Sequence, residues 1–136
     1  MTVRALRPLA ALALLAACVT VRPSPVAAGL DQSFRLGRGE TAAVGADGLT
    51  VRFASVVEDS RCPLGVVCVR AGEARVHLEL RAPGAGTDEV ILATEGGQPR
   101  YASFAGYDVR LVDLDPRPRT GVPHPAYVAT LRVSRN

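Results

Sequence analysis

Apolar and polar residues alternate with a period of two along most of this chain, and this pattern restricts the possible folds more than any other sequence feature. Leu49, Val51 and Phe53 alternate with polar or small neighbours, and the same alternation recurs over residues 74–81, 107–111 and 127–133. Successive side chains of a strand point to opposite faces, so each segment predicts a strand with one buried face. No segment after residue 31 shows the period of an amphipathic helix.

Shorter strand candidates lie near Phe34 and over residues 41–44, 89–94 and 100–104, and glycine-containing turns separate them. About eight short strands at this spacing predict an all-β domain. We expect a small antiparallel β-sandwich, with a small β-barrel as the alternative. Too few aromatic residues are available for a stacking surface, and we expect all six in the core, Tyr101 included.

Residues 48–53 resemble residues 106–111. Each segment is preceded by a short strand and a glycine-containing turn, and each is followed by a long loop and one further alternating strand. We therefore expect the two halves of the domain to correspond, with the loops at 58–73 and 115–126 in equivalent places.

The N-terminal segment has the layout of a secretory signal. Arg4 and Arg7 precede an uninterrupted Leu/Ala run at residues 9–17, and no acidic residue lies among them. A bilayer core requires about 20 apolar residues, so this run is too short to be a membrane-spanning helix. We predict an N-terminal signal helix at residues 1–17, a tether at 18–31 and the all-β domain at 32–136.

The segment Leu15-Ala16-Ala17-Cys18 resembles the bacterial lipobox, in which the cysteine is acylated and becomes the new N-terminus. This predicts lipidation of Cys18, a location in the cell envelope and a membrane as partner through the N-terminal lipid. Residues 19–30 would then form an extended spacer. The alternative is a cut after Ala28, which would release a soluble periplasmic or secreted protein.

The charge balance excludes nucleic acid as a partner. All 16 basic residues are arginines, and setting aside the two in the leader leaves 14 arginines against 13 acidic residues. A nearly neutral domain lacks the electrostatic footprint that a polyphosphate backbone requires.

Cys62 and Cys68 are the only cysteines after the leader, and an even pair in an exported protein predicts a disulfide. A zinc site is disfavoured because no second ligand pair accompanies them. A redox role is disfavoured because their spacing is wider than Cys-x-x-Cys. Glu58, Asp59 and Glu73 around this loop leave a calcium site as an alternative.

The segment around these cysteines resembles a motif found in a group of small secreted or lipid-anchored bacterial proteins. The motif reads Asp-Ser-Arg-Cys-Pro, two residues, Val, one residue, Cys, one residue, Trp, one residue, Gly. The matching residues are Asp59, Ser60, Arg61, Cys62, Pro63, Val66, Cys68 and Gly72. Arg70 stands where the group has Trp. The resemblance covers most of residues 32–134 and implies export and topology, but it implies no activity.

The sequence contains no recognisable catalytic set: there is no Gly-x-Ser-x-Gly elbow, and neither His77 nor His124 lies near a candidate nucleophile. We therefore expect a non-enzymatic binding module of the cell envelope that uses no cofactor and no metal. Its contacts with an envelope protein are expected on the two long loops. The candidate contact residues are Arg61, Arg70, Arg117 and Arg119. The alternative is a small hydrolase or metal-dependent enzyme whose site is assembled in space around a histidine.

Overall fold

The computed structural model describes residues 20–123 and 126–136, so the predicted signal helix, Cys18 and His124 lie outside the described residues. The described residues form nine β-strands and no helix. The strands are β1 Val26–Ala28, β2 Ser33–Gly37, β3 Thr41–Val44, β4 Leu49–Asp59, β5 Ala74–Ala82, β6 Gly86–Ala93, β7 Tyr101–Phe104, β8 Tyr107–Asp115 and β9 Val128–Arg135.

The strands form two sheets that pack face to face. One sheet has the order β1-β3-β4-β5-β6 and the other β2-β9-β8-β7. Every pairing is antiparallel except that of β1 with β3, which is parallel. The prediction of an all-β sandwich is confirmed, and the two sheets do not close into the alternative barrel.

The core lies between the sheets and consists of the side chains that the period of two assigned to it. Alternate residues of β4, β5, β8 and β9 point inward, and most of them have no solvent exposure. The largest fully buried side chains include Phe53, Leu36, Leu49, Leu78, Leu80, Leu92, Leu111, Leu114 and Leu131.

Two expectations about the edges of the domain were wrong. Residues 26–28 were expected in the tether, but they form β1 and pair with residues 42–44 of β3. Leu30 also packs against the core, so the folded domain begins before residue 32. Tyr101 was expected in the core, but it lies on the edge strand β7 and is 50% exposed.

The predicted correspondence between the two halves is visible in the topology. The strands β3, β4 and β5 are adjacent in this order in one sheet, and β7, β8 and β9 are adjacent in the same order in the other. Each set comprises a short strand, a tight turn, a long strand, a long loop and a returning strand. The long loops after β4 and β8 therefore occupy equivalent positions.

The tight turns lie at the other end of the sandwich, which we call the turn end (residues 45–48, 83–85 and 105–106). The Tyr107 hydroxyl donates a hydrogen bond to Asp47 Oδ2 at 2.9 Å, and Arg135 forms an ion pair with the same carboxylate. Hydrogen bonds from Tyr107 and Arg135 and the charge of Arg135 hold the pKa of Asp47 below its usual value. The turn end is thus closed by polar contacts between the two sheets.

Candidate functional site

The two long loops meet at the end of the sandwich opposite the turns. We define the loop end as residues 60–73, which connect β4 to β5, and residues 116–123, which follow β8. The backbone N–H of Leu64 in the first loop donates a hydrogen bond to the carbonyl oxygen of Pro118 in the second, at 2.9 Å. This end is the candidate functional site, and it combines the segment around the cysteines with the loop that follows β8.

Arg61 lies at the centre of the loop end and is only 9% exposed. Its Nε and Nη2 groups donate hydrogen bonds to the two carboxylate oxygens of Asp59, both at 2.8 Å. Its Nη1 group donates to the Leu114 carbonyl oxygen at 2.5 Å, and Nη2 also donates to the Pro116 carbonyl oxygen at 2.9 Å. The planar guanidinium thus ties the end of β4 to the end of β8.

This placement changes the role expected for Arg61. We expected Arg61 among the four partner-contacting arginines, but its donors are engaged within the domain and its side chain is buried. It therefore braces the two loops. The other three candidates are exposed to solvent: Arg70, Arg117 and Arg119.

The Arg61–Asp59 pair also involves Tyr127, whose hydroxyl donates a hydrogen bond to Asp59 Oδ2 at 3.0 Å. Burial raises the pKa of Asp59, but hydrogen bonds from Arg61 and Tyr127 and the charge of Arg61 outweigh it, so the pKa is lowered overall. Burial and the hydrogen bond to Asp59 raise the pKa of Tyr127. The carboxylate is therefore held ionised and the phenol protonated, which is the arrangement of a structural cluster.

The first loop is narrow at its base because Ser60 and Glu73 are bound to each other. The Ser60 N–H donates to the Glu73 carbonyl oxygen at 2.8 Å, and the Ser60 hydroxyl donates to the same oxygen at 2.9 Å. A Cβ atom at Gly72 would lie 1.7 Å from the Ser60 carbonyl oxygen. Only glycine fits this position, because any side chain would force the two sides of the loop apart.

The Cys62–Cys68 disulfide closes the tip of the first loop, with 5.9 Å between the two Cα atoms. The predicted pairing of these cysteines is therefore present. The apolar side chains of this ring, and of Val69 directly after it, remain in solvent. Leu64 and Val66 are about half exposed, and Val67 and Val69 are completely exposed.

The surroundings of these apolar side chains are basic. Arg70, Arg117 and Arg119 are exposed, and none of them forms a salt bridge with a residue that the structure describes. Glu73 is the only acidic residue in the loop end, and it is half-buried. The loop end thus combines an exposed aliphatic tip with a net positive charge.

This aliphatic tip was not predicted from the sequence. Its signal was present in the Val66-Val67-Cys68-Val69 run, which is apolar without alternation and lies inside or beside a disulfide ring. A rigid cluster of exposed aliphatic side chains is unusual on a soluble monomer and is typical of an interaction surface.

Part of the site that a histidine-based enzyme would require is present on the outer face of the first sheet. His77 lies opposite Ser55 in the β4–β5 register, and its Nε2 atom is 3.5 Å from Glu89 Oε2. Within the described part of the chain, however, no hydrogen bond joins Ser55 to His77. A nucleophile and base need that contact, and an open sheet face does not exclude water.

A separate surface cavity of about 520 Å³ lies on the second sheet, and His77 does not line it. The lining residues are Asp31, Tyr101, Asp108, Arg110, Arg132 and Ser134. Residues 20–123 and 126–136 bring together no group of three or more histidine, cysteine or acidic side chains that could hold a metal ion. In particular, the carboxylate of Asp59, a candidate calcium ligand, is bound to Arg61.

Comparison of the chain with protein-family models, curated proteins and solved structures finds no match. Over the same described ranges, no helix has the length and apolar character required to span a membrane.

Proposed function

We propose that this chain is a lipoprotein of the cell envelope that acts as a non-enzymatic binding module. It is anchored through Cys18 and presents the loop end to another component of the envelope. The observation that carries this proposal is the exposed aliphatic tip, which is closed by a disulfide and lies beside arginines that form no salt bridge with the described residues. An enzyme would need a cleft and a polar catalytic set at its site, whereas the loop end offers a protruding apolar surface.

The position of β1 supports processing at Cys18 over a cut after Ala28. A cut after Ala28 would remove the whole of β1, which pairs with β3 and contributes the half-buried Ala28 to the core edge. It would also remove the Ala28 carbonyl oxygen that accepts a hydrogen bond from the Gly45 N–H at 2.9 Å. A cut before Cys18 leaves the folded domain complete.

The disulfide supports export, because structural disulfides persist in oxidising compartments outside the cytosol. Its place at the tip of the first loop, beside the exposed aliphatic side chains, also fits a binding role. A closed ring loses less conformational freedom when it meets a partner than an open loop of the same length.

Intact mass analysis of the membrane fraction tests the anchoring. We expect a mature chain that begins at Cys18, carries acyl chains on that residue and has the mass deficit of one cystine. A chain that begins at Gly29 without lipid would contradict the proposal.

Photocrosslinking in cells tests the contact surface. A photoreactive amino acid at position 67 should give covalent adducts with an envelope component, whether protein or lipid. The matched control is position 85, which is exposed at the turn end and should give none. Absence of adducts at positions 67, 69 and 119 would contradict a binding role for the loop end.

A further inference from the structure

The direction of β1 determines which end of the domain faces the anchor. β1 runs parallel to β3, with Val26 opposite Ala42, and Thr41 at the start of β3 lies opposite Arg52 of β4. From Arg52, β4 continues to Asp59 and into the loop end. The chain that precedes Val26 therefore leaves the sandwich toward the loop end and away from the turn end.

Residues just before β1 follow this direction. Pro23 and Ser24 line a small surface cavity together with Gly39, Glu40 and Thr41, which belong to the turn between β2 and β3 and to the start of β3. The described part of the tether thus runs along the side of the sandwich toward the loops.

The length of the tether is close to the distance that it must cover. Val26 lies level with Val51 through Ala42, and the eight residues from Val51 to Asp59 rise by about 26 Å along β4. The eight residues from Cys18 to Val26 span at most about 26–29 Å when fully extended. A lipid on Cys18 can therefore reach the level of the loop end only with the tether nearly extended, which leaves little room between the loops and the membrane.

The chemistry of the loop end fits a bilayer surface. Aliphatic side chains at a rigid tip can enter the boundary between headgroups and acyl chains, and this adds to the hold of the covalent lipid. Arginines beside such a tip can donate bidentate hydrogen bonds to lipid phosphates and are attracted by anionic lipids. Arg70, Arg117 and Arg119 are exposed beside the tip and unpaired with described residues.

We propose that the loop end docks on the anionic bilayer that holds the lipid of Cys18. Val67 and Val69 would insert at the headgroup boundary, and the three arginines would bind lipid phosphates. This inference rests on the proposed anchoring at Cys18 and identifies the envelope component that the loop end contacts. The sandwich would then stand on the membrane with its turn end directed away.

The chain contains no tryptophan, so a single introduced Trp reports on one position. The full lipidated protein carrying Val67→Trp is reconstituted into vesicles of phosphatidylcholine and phosphatidylglycerol with brominated acyl chains. We expect its emission to shift to shorter wavelength and to fall about twofold relative to unbrominated vesicles, because the side chain enters the acyl boundary. Val69→Trp, at a second exposed position, should behave in the same way.

The matched control is Ala85→Trp at the turn end, whose emission should remain that of a solvent-exposed Trp in both kinds of vesicle. Equal quenching at positions 67 and 85 would overturn the orientation. Absence of quenching at both 67 and 69, in protein whose mass shows acylation at Cys18, would overturn the docking. In that case, protein adducts at position 67 in cells would show that the loop end is a binding surface whose partner is a protein and not the bilayer.

The arginines are tested with Arg70→Gln, Arg117→Gln and Arg119→Gln combined in the Val67→Trp protein. We expect quenching to fall by about half on anionic vesicles, to the level that the parent shows on purely zwitterionic vesicles. Arg81→Gln, on β5 near the turn end, removes an exposed arginine from the opposite end and should have no effect. Equal quenching in the triple variant and its parent would refute a role for lipid phosphates.

Discussion

Replacing Arg61 with methionine is the sharpest test of how the loop end is held together. The substitution keeps an apolar stem of similar length but removes every donor of the guanidinium. Asp59, whose side chain is 8% exposed, would keep only two hydrogen-bond donors among the described residues, the Tyr127 hydroxyl and the N–H of residue 61. The carbonyl oxygens of Leu114 and Pro116 would lose their Arg61 donors.

The size of the effect follows from the burial of the pair. Removing one partner of a buried ion pair leaves an uncompensated charge, which costs about 3–5 kcal/mol. The free energy of unfolding of a domain this size is about 5–15 kcal/mol, so Arg61→Met should remove a large part of it. Arg61→Lys keeps the charge but cannot supply the planar set of donors, and we expect about 1–3 kcal/mol for it.

Urea unfolding followed by far-ultraviolet circular dichroism measures these differences. The matched control is Arg52→Met, which breaks the Arg52–Glu79 pair, whose side chains are 42% and 35% exposed. Such an exposed pair contributes about 0–1 kcal/mol. If Arg61→Met lowers the free energy of unfolding no more than Arg52→Met does, and the slope of that free energy with urea is unchanged, the buried pair does not contribute the stability expected of it.

The remaining predictions concern the same loop. Gly72→Ala should lower the free energy of unfolding by about 2–3 kcal/mol, because its Cβ meets backbone. Gly29→Ala, which meets only a flexible side chain, should cost under about 1 kcal/mol in the same assay. Opening the Cys62–Cys68 ring by reduction should cost about 2 kcal/mol on the loop-entropy estimate, measured by thermal unfolding with and without reductant. Because the pKa of Asp59 is lowered by folding, its contribution is complete above the unfolded value of about 3.9 and is lost as pH falls through the folded value. The free energy of unfolding should therefore decline below about pH 4, and Asp59→Asn should make this decline shallower. An equally steep decline in the variant would show that Asp59 is not responsible for it.

The buried faces could be predicted from the sequence because the period of two is a direct consequence of strand geometry. Val76, Leu78 and Leu80 of β5 alternate with charged or polar residues, and all three are fully buried. β1 could not be predicted in this way. It has three residues and pairs at an edge, so no alternation develops, and its neighbours Pro23 and Pro25 suggested a spacer.

The role of Arg61 could not be predicted because it depends on residues far away in the chain. A charged residue in a loop is normally solvated, and its burial here requires Tyr127 and two carbonyl oxygens more than fifty positions distant. The resemblance around the cysteines implied no contacts for its residues. Physical contacts now account for Asp59, Ser60, Arg61 and Gly72.

The exposure of Tyr101 had a different cause. Tyr101 lies opposite the exposed Arg110 of β8, whereas the next residue, Ala102, lies opposite the buried Val109, so Tyr101 is on the outer face of the second sheet. Arg110 of β8 lies over its ring at 5.7 Å, so the aromatic face meets a cation and does not meet the core. The count of aromatic residues predicted a core role because it took no account of which face of its strand each residue occupies.

The two long loops occupy equivalent positions but are stabilised by different means, and this has a measurable consequence. The first loop has its own disulfide and the Ser60–Glu73 hydrogen bonds at its base. The second loop receives hydrogen bonds from Arg61 and from the N–H of Leu64. The first loop therefore stabilises the second loop through these hydrogen bonds.

Hydrogen exchange at two amides distinguishes these contributions. Leu64 N–H donates across the loops to Pro118, whereas Val122 N–H donates within the second loop to the Arg119 carbonyl oxygen at 3.2 Å. Reducing the disulfide should speed exchange at Leu64 and leave Val122 protected, because the Arg61 hydrogen bonds remain. Arg61→Met should speed exchange at both amides, since it releases the second loop from the first. Unchanged protection of Val122 in that variant would show that the prolines of the second loop hold it without Arg61, and the guanidinium would then stabilise only its own loop.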